Sequence, residues 1–229
     1  MKTEKGKTFL TAFQNTLPIM AGYLVLGAGF GILLKTKGYG VVWAFLMSVF
    51  IYAGSMQYVA IDLLSGGATL ISAALMTLMV NARHLFYGIS MLDKYQDMGA
   101  AKPYLVFSLT DETYSLVCTG KVPAGADKRS YFLWVSLLDQ SYWVIGSVAG
   151  SLIGGLITFN TTGIDFSMTA LFVVVFVEQW RETKDHAGAL VGVLASLLCL
   201  LIFGAESFLI PSMIAITVIL TALRRRDKK

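Results

Sequence analysis

The chain has 229 residues, 56% hydrophobic and only 14% charged, with a mean hydropathy of +0.69. Soluble domains carry roughly 25% charged and 45–50% apolar residues, so this balance excludes a soluble enzyme and indicates an integral membrane protein. The net charge of +4 does not point to nucleic acid, because lysine and arginine gather in particular loops and at the C-terminus, as the positive-inside rule produces.

Backbone in lipid must satisfy its own hydrogen bonds, which leaves a helix bundle or a closed barrel. Apolar runs of about 16 to 25 residues exclude the barrel, whose strands alternate over roughly 10 residues. The expected fold is therefore all-α, a polytopic transmembrane helix bundle forming a single transporter domain over residues 1–229. Eight spans are predicted, near 16–34, 41–64, 68–90, 104–119, 131–158, 166–180, 187–203 and 207–223, each close to the ~20 residues a bilayer demands.

The first span follows a short segment with Lys2, Lys5 and Lys7. Its apolar run, 17–34, is longer than a signal-peptide core and lacks a small-residue cleavage site, so it is read as a retained helix. Pro18, Gly22, Gly27, Gly29 and Gly31 suit either bending or close packing, and packing is the expectation. In the second span, Tyr52, Gly54, Ser55 and Gln57 set small residues beside hydroxyl and amide groups at mid-membrane. Two readings fit: an interrupted helix that meets substrate, or helix packing through Gly54 and Ser55.

The third span ends with Asn81, Arg83 and His84. Arg83 lies roughly 6 Å past the middle of its span at 1.5 Å per residue, with Asp111 or Glu112 as its counter-charge. Its planar fork equally suits the carboxylate of an amino acid. His84 is either a pH switch or a packing residue. In the fourth span, Ser108, Asp111, Glu112, Ser115 and Thr119 would align as one polar stripe on a continuous helix. Ionisable groups at such depth are expensive and mark transport or proton paths, so Asp111 and Glu112 are the proton-coupling candidates. The alternative is a structural salt bridge or cap. The fifth span repeats the spacing with Ser136, Asp139, Gln140, Trp143 and Ser147; Asp139 is either the stripe's neighbour or a group bonded near the cytoplasmic end. Cys118 and Cys199 lie in apolar runs and read as free thiols.

With the N-terminus inside and eight crossings, inside segments carry Lys2, Lys5, Lys7, Lys121, Lys128, Arg129, Arg181, Lys184 and the basic C-terminus, while outside loops carry only Lys35, Lys37, Lys94 and Lys102. Both termini are thus expected in the cytoplasm. A shift of 123 positions maps Gly27, Gly31 and Gly40 onto Gly150, Gly154 and Gly163, a weak internal echo that leaves parallel and inverted repeats both open. No phosphate loop, metal-ligand spacing or nucleophile elbow occurs, so no cofactor, metal or ATP-driven step is expected and the chain is not read as an enzyme. The rivals are a channel or facilitator for a small solute and an intramembrane enzyme pairing Asp111 with Asp139.

Four stretches together resemble the AzlC family, the large subunits of bacterial branched-chain amino-acid exporters: 18–31 (PIMAGYLVLGAGFG), 52–58 (YAGSMQY), 81–88 (NARHLFYG) and 110–116 (TDETYSL). The resemblance runs from about residue 10 to the C-terminus, resting on hydropathy beyond residue 120; Ala82 departs from the bulkier apolar residue expected there. It implies a multi-pass protein of the bacterial inner membrane, working with a small four-helix AzlD-type subunit. It further implies export of leucine, isoleucine, valine and, at the edge, methionine, in exchange for protons. Tyr52, Gly54, Ser55, Gln57, Asn81 and Arg83 would then bind substrate, and Asp111 and Glu112 would handle the proton.

Overall fold

The computed structural model describes residues 2–118, 121–156, 166, 169–170, 173, 176–177, 180–181, 185–204 and 208–226. Among these every regular element is helical. They divide into two compact units, 1–168 and 169–229.

In the first unit, α1 runs over Lys2–Thr36 and α7 over Lys128–Leu156. The α1 helix begins well before the predicted residue 16. Its 35 residues reach about 50 Å at 1.5 Å each, longer than the ~30 Å hydrocarbon core. What extends it is tertiary packing that hydropathy does not register: Phe9 meets Trp134 edge-on at 4.9 Å, and Asn15 Nδ2 donates to the Tyr131 hydroxyl at 2.8 Å. Pro18 sits inside the helix without ending it. At the other partner, Asp127 Oδ2 accepts the Ser130 N–H at 2.8 Å and caps the start of α7. Those hydrogen bonds from Ser130 hold the exposed Asp127 carboxyl below the usual aspartate range.

These two helices interlock through small residues. A Cβ on Gly27 would lie 3.0 Å from the Ser147 nitrogen and the Trp143 carbonyl, one on Gly31 would overlap the Ser147 carbonyl, and one on Gly150 would overlap Ala28. Gly146 faces Leu24, Gly150 faces Ala28 and Gly154 faces Ile32, so numbers rise together and α1 and α7 run parallel. The expectation of packing at Gly27 and Gly31 thus holds, with backbones in contact as small-residue interfaces in membranes allow. Gly163 of the predicted repeat lies outside the described residues.

The second predicted span is not one helix. It forms α2 (Val41–Phe50) and α3 (Gly54–Ser65), parted where Tyr52 takes a left-handed φ of +43°, uncommon for a bulky residue. The carbonyl of Val49, which a continuous helix would use, accepts instead from Gln140 Nε2 at 3.1 Å. Next, α4 (Leu70–Met91) starts at Thr69, whose hydroxyl accepts the Ser72 N–H. Its Leu70, Ile71, Phe86 and Ile89 are largely exposed, as a lipid-facing helix requires. A 3-10 turn over Gln96–Ala101 leads to α5 (Lys102–Phe107) and α6 (Asp111–Val117).

The fourth predicted span is therefore also broken, contrary to the continuous polar stripe expected. Ser108 Oγ donates back to the Tyr104 carbonyl at 2.8 Å, and Thr110 Oγ1 accepts the Thr113 N–H at 3.2 Å; hydroxyls here compete with the helical ladder and stop it. Thr119 lies outside the described residues. The core between α1, α2, α3 and α7 contains Tyr23, Phe30, Leu34, Met47, Tyr58 and Trp143.

In the second unit, α8 (Ala187–Phe203) matches its predicted span and α9 (Leu209–Arg226) begins two residues after its own. The predicted span 166–180 lies largely outside the described residues. Cys118 and Cys199 are free.

Candidate functional site

The site is built where the two broken helices begin. Ser55 stands in the first turn of α3, and Asp111 and Glu112 in the first turn of α6. Each turn presents N–H groups without intrahelical partners and the positive end of its helix, which favours the carboxylates of α6. Between them comes Arg83 from α4: its Nη1 pairs with Asp111 Oδ2, and its Nη2 donates to Ser55 Oγ at 2.8 Å. One guanidinium thus spans both helix starts, using the fork that distinguishes arginine from lysine. The pair is half-buried, with side chains 31% and 22% exposed. Asp111 Oδ1 and Asn81 Oδ1 are buried with no hydrogen-bond partner.

Asp111 and Glu112 diverge. The counter-charge of Arg83 is Asp111, and Glu112 Oε2 instead accepts the Tyr23 hydroxyl at 2.7 Å. That hydroxyl also lies 2.7 Å from Thr110 Oγ1, which in turn lies 3.1 Å from Thr113 Oγ1. Thr113 Oγ1 donates to Asp139 Oδ2 at 2.7 Å. Asp139, on α7, is fully buried, and so is the neighbour of α6 across the interface. Asp111 and Asp139 have different partners, Arg83 and Thr113, and do not bond to one another as a proton-sharing dyad requires.

The remaining candidates scatter. Gln57 is fully buried, its Nε2 on Ser48 Oγ at 3.2 Å and its Oε1 accepting from Trp143 Nε1 at 2.9 Å. Gly54 makes room for Trp143, whose ring would meet a Cβ at 3.0 Å. Tyr52 is buried with its ring tilted against Phe107 at 6.4 Å. His84 Nδ1 contacts the Asn81 carbonyl at 3.3 Å, and its ring lies edge-on to Tyr87. So Ser55, Arg83 and Asp111 come together, with Asn81 one turn from His84 and Gln57 committed to packing. Sequence reasoning missed Tyr23, Thr110 and Thr113. The signal for the two threonines was their spacing of three around an acidic pair, the pattern of a capped helix start; Tyr23 had none.

Comparison with known proteins places the chain among membrane proteins. A family model described as AzlC protein matches residues 18–157. Over 221 residues the chain is 48% identical to the branched-chain amino acid transport protein AzlC of Bacillus subtilis (strain 168), covering 96% of this chain and 87% of that protein. It is 45% identical over 220 residues to a membrane protein of Haemophilus influenzae, with 96% and 89% covered. Inner membrane protein YgaZ of Escherichia coli (strain K12) is 28% identical over 198 residues, with 82% and 80% covered. No solved structure matches the chain.

Proposed function

The chain belongs to the AzlC family, and from that premise we propose that it is a proton-coupled secondary transporter exporting leucine, isoleucine and valine, with methionine at the edge of its range, across a bacterial inner membrane. It is a membrane protein of a transport family; direction, coupling and a small AzlD-type partner subunit are the parts proposed here. The observation that carries the reading is the reach of Arg83 to Ser55 and Asp111, at the starts of two interrupted helices. Broken helices with exposed ends are where transporters of several folds hold charged substrates.

The substrate carboxylate takes the fork of Arg83 beside Ser55, and its ammonium takes Glu112. A proton and an ammonium exclude each other on one carboxylate, which gives exchange. Apolar walls hold the side chain, where one methylene changes binding by only about 1–3 kcal/mol, so selectivity among aliphatic amino acids is broad. In this reading Asn81, on the same helix as Arg83, joins the substrate contacts, while Gly54 and Gln57 pack against Trp143 and Tyr52 against Phe107.

The parallel course of α1 and α7 fits the first five of the eight spans read from the sequence. Two helices crossing in one direction need an odd number of crossings between them, and α2–α3, α4 and α5–α6 supply three.

The test is efflux of labelled leucine from loaded vesicles containing the chain, with and without the small subunit, under an inward proton gradient. Acceleration by the gradient is expected. Flux indifferent to the gradient overturns the coupling and favours a facilitator.

A further inference from the structure

The hydroxyl row between Glu112 and Asp139 is closed, and its protons can be counted. Glu112 meets Tyr23 at 2.7 Å, Tyr23 meets Thr110 at 2.7 Å, Thr110 meets Thr113 at 3.1 Å, and Thr113 meets Asp139 at 2.7 Å. Three of these separations lie within the ordinary O–H···O range and the fourth, Thr110 to Thr113, just beyond it; each is a hydrogen bond, and a hydrogen bond holds one proton between its two oxygens. Four links therefore need four protons, and three hydroxyls own three. Thr110 has no spare capacity, since its oxygen also accepts the Thr113 N–H. The fourth proton has to come from one of the two end carboxyls.

We propose that Glu112 and Asp139 hold one proton between them and that the row Tyr23, Thr110, Thr113 passes it from one to the other, making Asp139 a proton site of this protein. Transfer conserves every hydroxyl. Glu112 gives its proton to the Tyr23 oxygen, Tyr23 gives its own to Thr110, Thr110 to Thr113, and Thr113 to Asp139. Each hydroxyl ends with one proton, Asp139 becomes neutral and Glu112 becomes ionised. Glu112 is then ready for an ammonium, the step through which this inference rests on the transport reading above.

The surroundings suit this role. Asp139 Oδ1 is buried without a hydrogen-bond partner, an arrangement costly for a full charge. The ionisable groups facing Asp139 are Glu112 of α6, Tyr23 of α1, Tyr52 at the α2–α3 break, Tyr104 of α5 and Tyr142 of α7. Among the described residues, those facing Glu112 are its neighbour Asp111, Arg83 and Tyr87 of α4, Tyr23 of α1 and Tyr52. The cation therefore stands at the Glu112 end, and moving the proton to Asp139 puts the negative charge nearer to it.

Infrared difference spectroscopy of the purified chain in detergent reads a protonated carboxyl directly, without any substrate. Near neutral pH one carboxylic-acid band is expected, and both Glu112→Gln and Asp139→Asn should change it. In Thr113→Val the middle proton is gone, so Glu112→Gln added to that background should leave the Asp139 band where it is. A wild-type chain with no such band, or a band that Asp139→Asn removes and Glu112→Gln leaves untouched, overturns the proposal. If Thr113→Val does not fold, Tyr23→Phe cuts the row at another link and is judged the same way.

In leucine-loaded vesicles, Thr113→Val should lower the ratio of gradient-driven flux to leucine exchange by about a hundred-fold, and Thr113→Ser should restore it. A wild-type ratio in Thr113→Val also overturns the relay. Vesicles of the wild type that move no leucine defeat the transport reading instead, and the infrared band then decides the relay alone.

Discussion

Replacing Arg83 by lysine keeps the charge and removes the fork. In the wild type one guanidinium makes the Asp111 and Ser55 contacts together, the second at 2.8 Å, and a single ammonium on a flexible stem does not span both helix starts. A hydrogen bond made by a charged group contributes roughly 1.5–3 kcal/mol. The Arg83 and Asp111 side chains are 31% and 22% exposed, so water screens the pair and the lower end applies. Losing one such contact, about 1.5 kcal/mol, weakens substrate binding a little over ten-fold. The measurement is the KM for leucine export in proteoliposomes containing equal amounts of folded protein, checked by thermal melting in detergent. A KM within about two-fold of wild type would refute the assignment of Arg83 to the substrate carboxylate and leave it a brace between α3, α4 and α6.

Three further substitutions probe other parts of the structure. Glu112→Gln fixes a neutral group at the proposed proton site, so the pH dependence of export should flatten; an unchanged profile removes Glu112 from the proton path. Gly150→Val drives a side chain into the backbone at Ala28 and should lower stability by about 1–3 kcal/mol or more, seen as a lower melting point in detergent, whereas Gly188→Ala, with open space around it, should not. Asp127→Ala removes the cap of α7 and should cost about 1 kcal/mol near neutral pH. Because the folded carboxyl titrates below its ordinary value, the wild-type advantage should persist down to the usual aspartate range and close as pH falls through the lower folded value; a gap that persists in strong acid contradicts the cap.

Hydropathy located most helices because lipid exposure is a property of each residue. The α8 helix coincides with its predicted span, and α7 starts three residues before the expected 131. The ends and breaks were less legible, since they depend on partners distant in the chain. The start of α1 follows Trp134 and Tyr131. The break at Tyr52 falls in the segment whose small and polar residues suggested interruption, yet the group that satisfies the freed Val49 carbonyl is Gln140, 91 positions further along. Asp111 and Glu112 differ by only one position, about a third of a turn, and only the placement of α4 and α1 assigns one to Arg83 and the other to Tyr23. Gln57 shows the converse: an amide in a span looks ready for a ligand until Trp143 is found on it.

The contact between α1 and α7 also bears on how such a molecule can move. Side chains can change rotamer to let helices slide, whereas main-chain atoms pressed together at Gly27, Gly31, Gly146 and Gly150 have no such slack. This pair is a fixed mast. If transport proceeds by alternating access, the pieces left free to turn are the short helices beside the mast, α3 and α6, with the breaks at Tyr52 and at Ser108–Thr110 as their hinges.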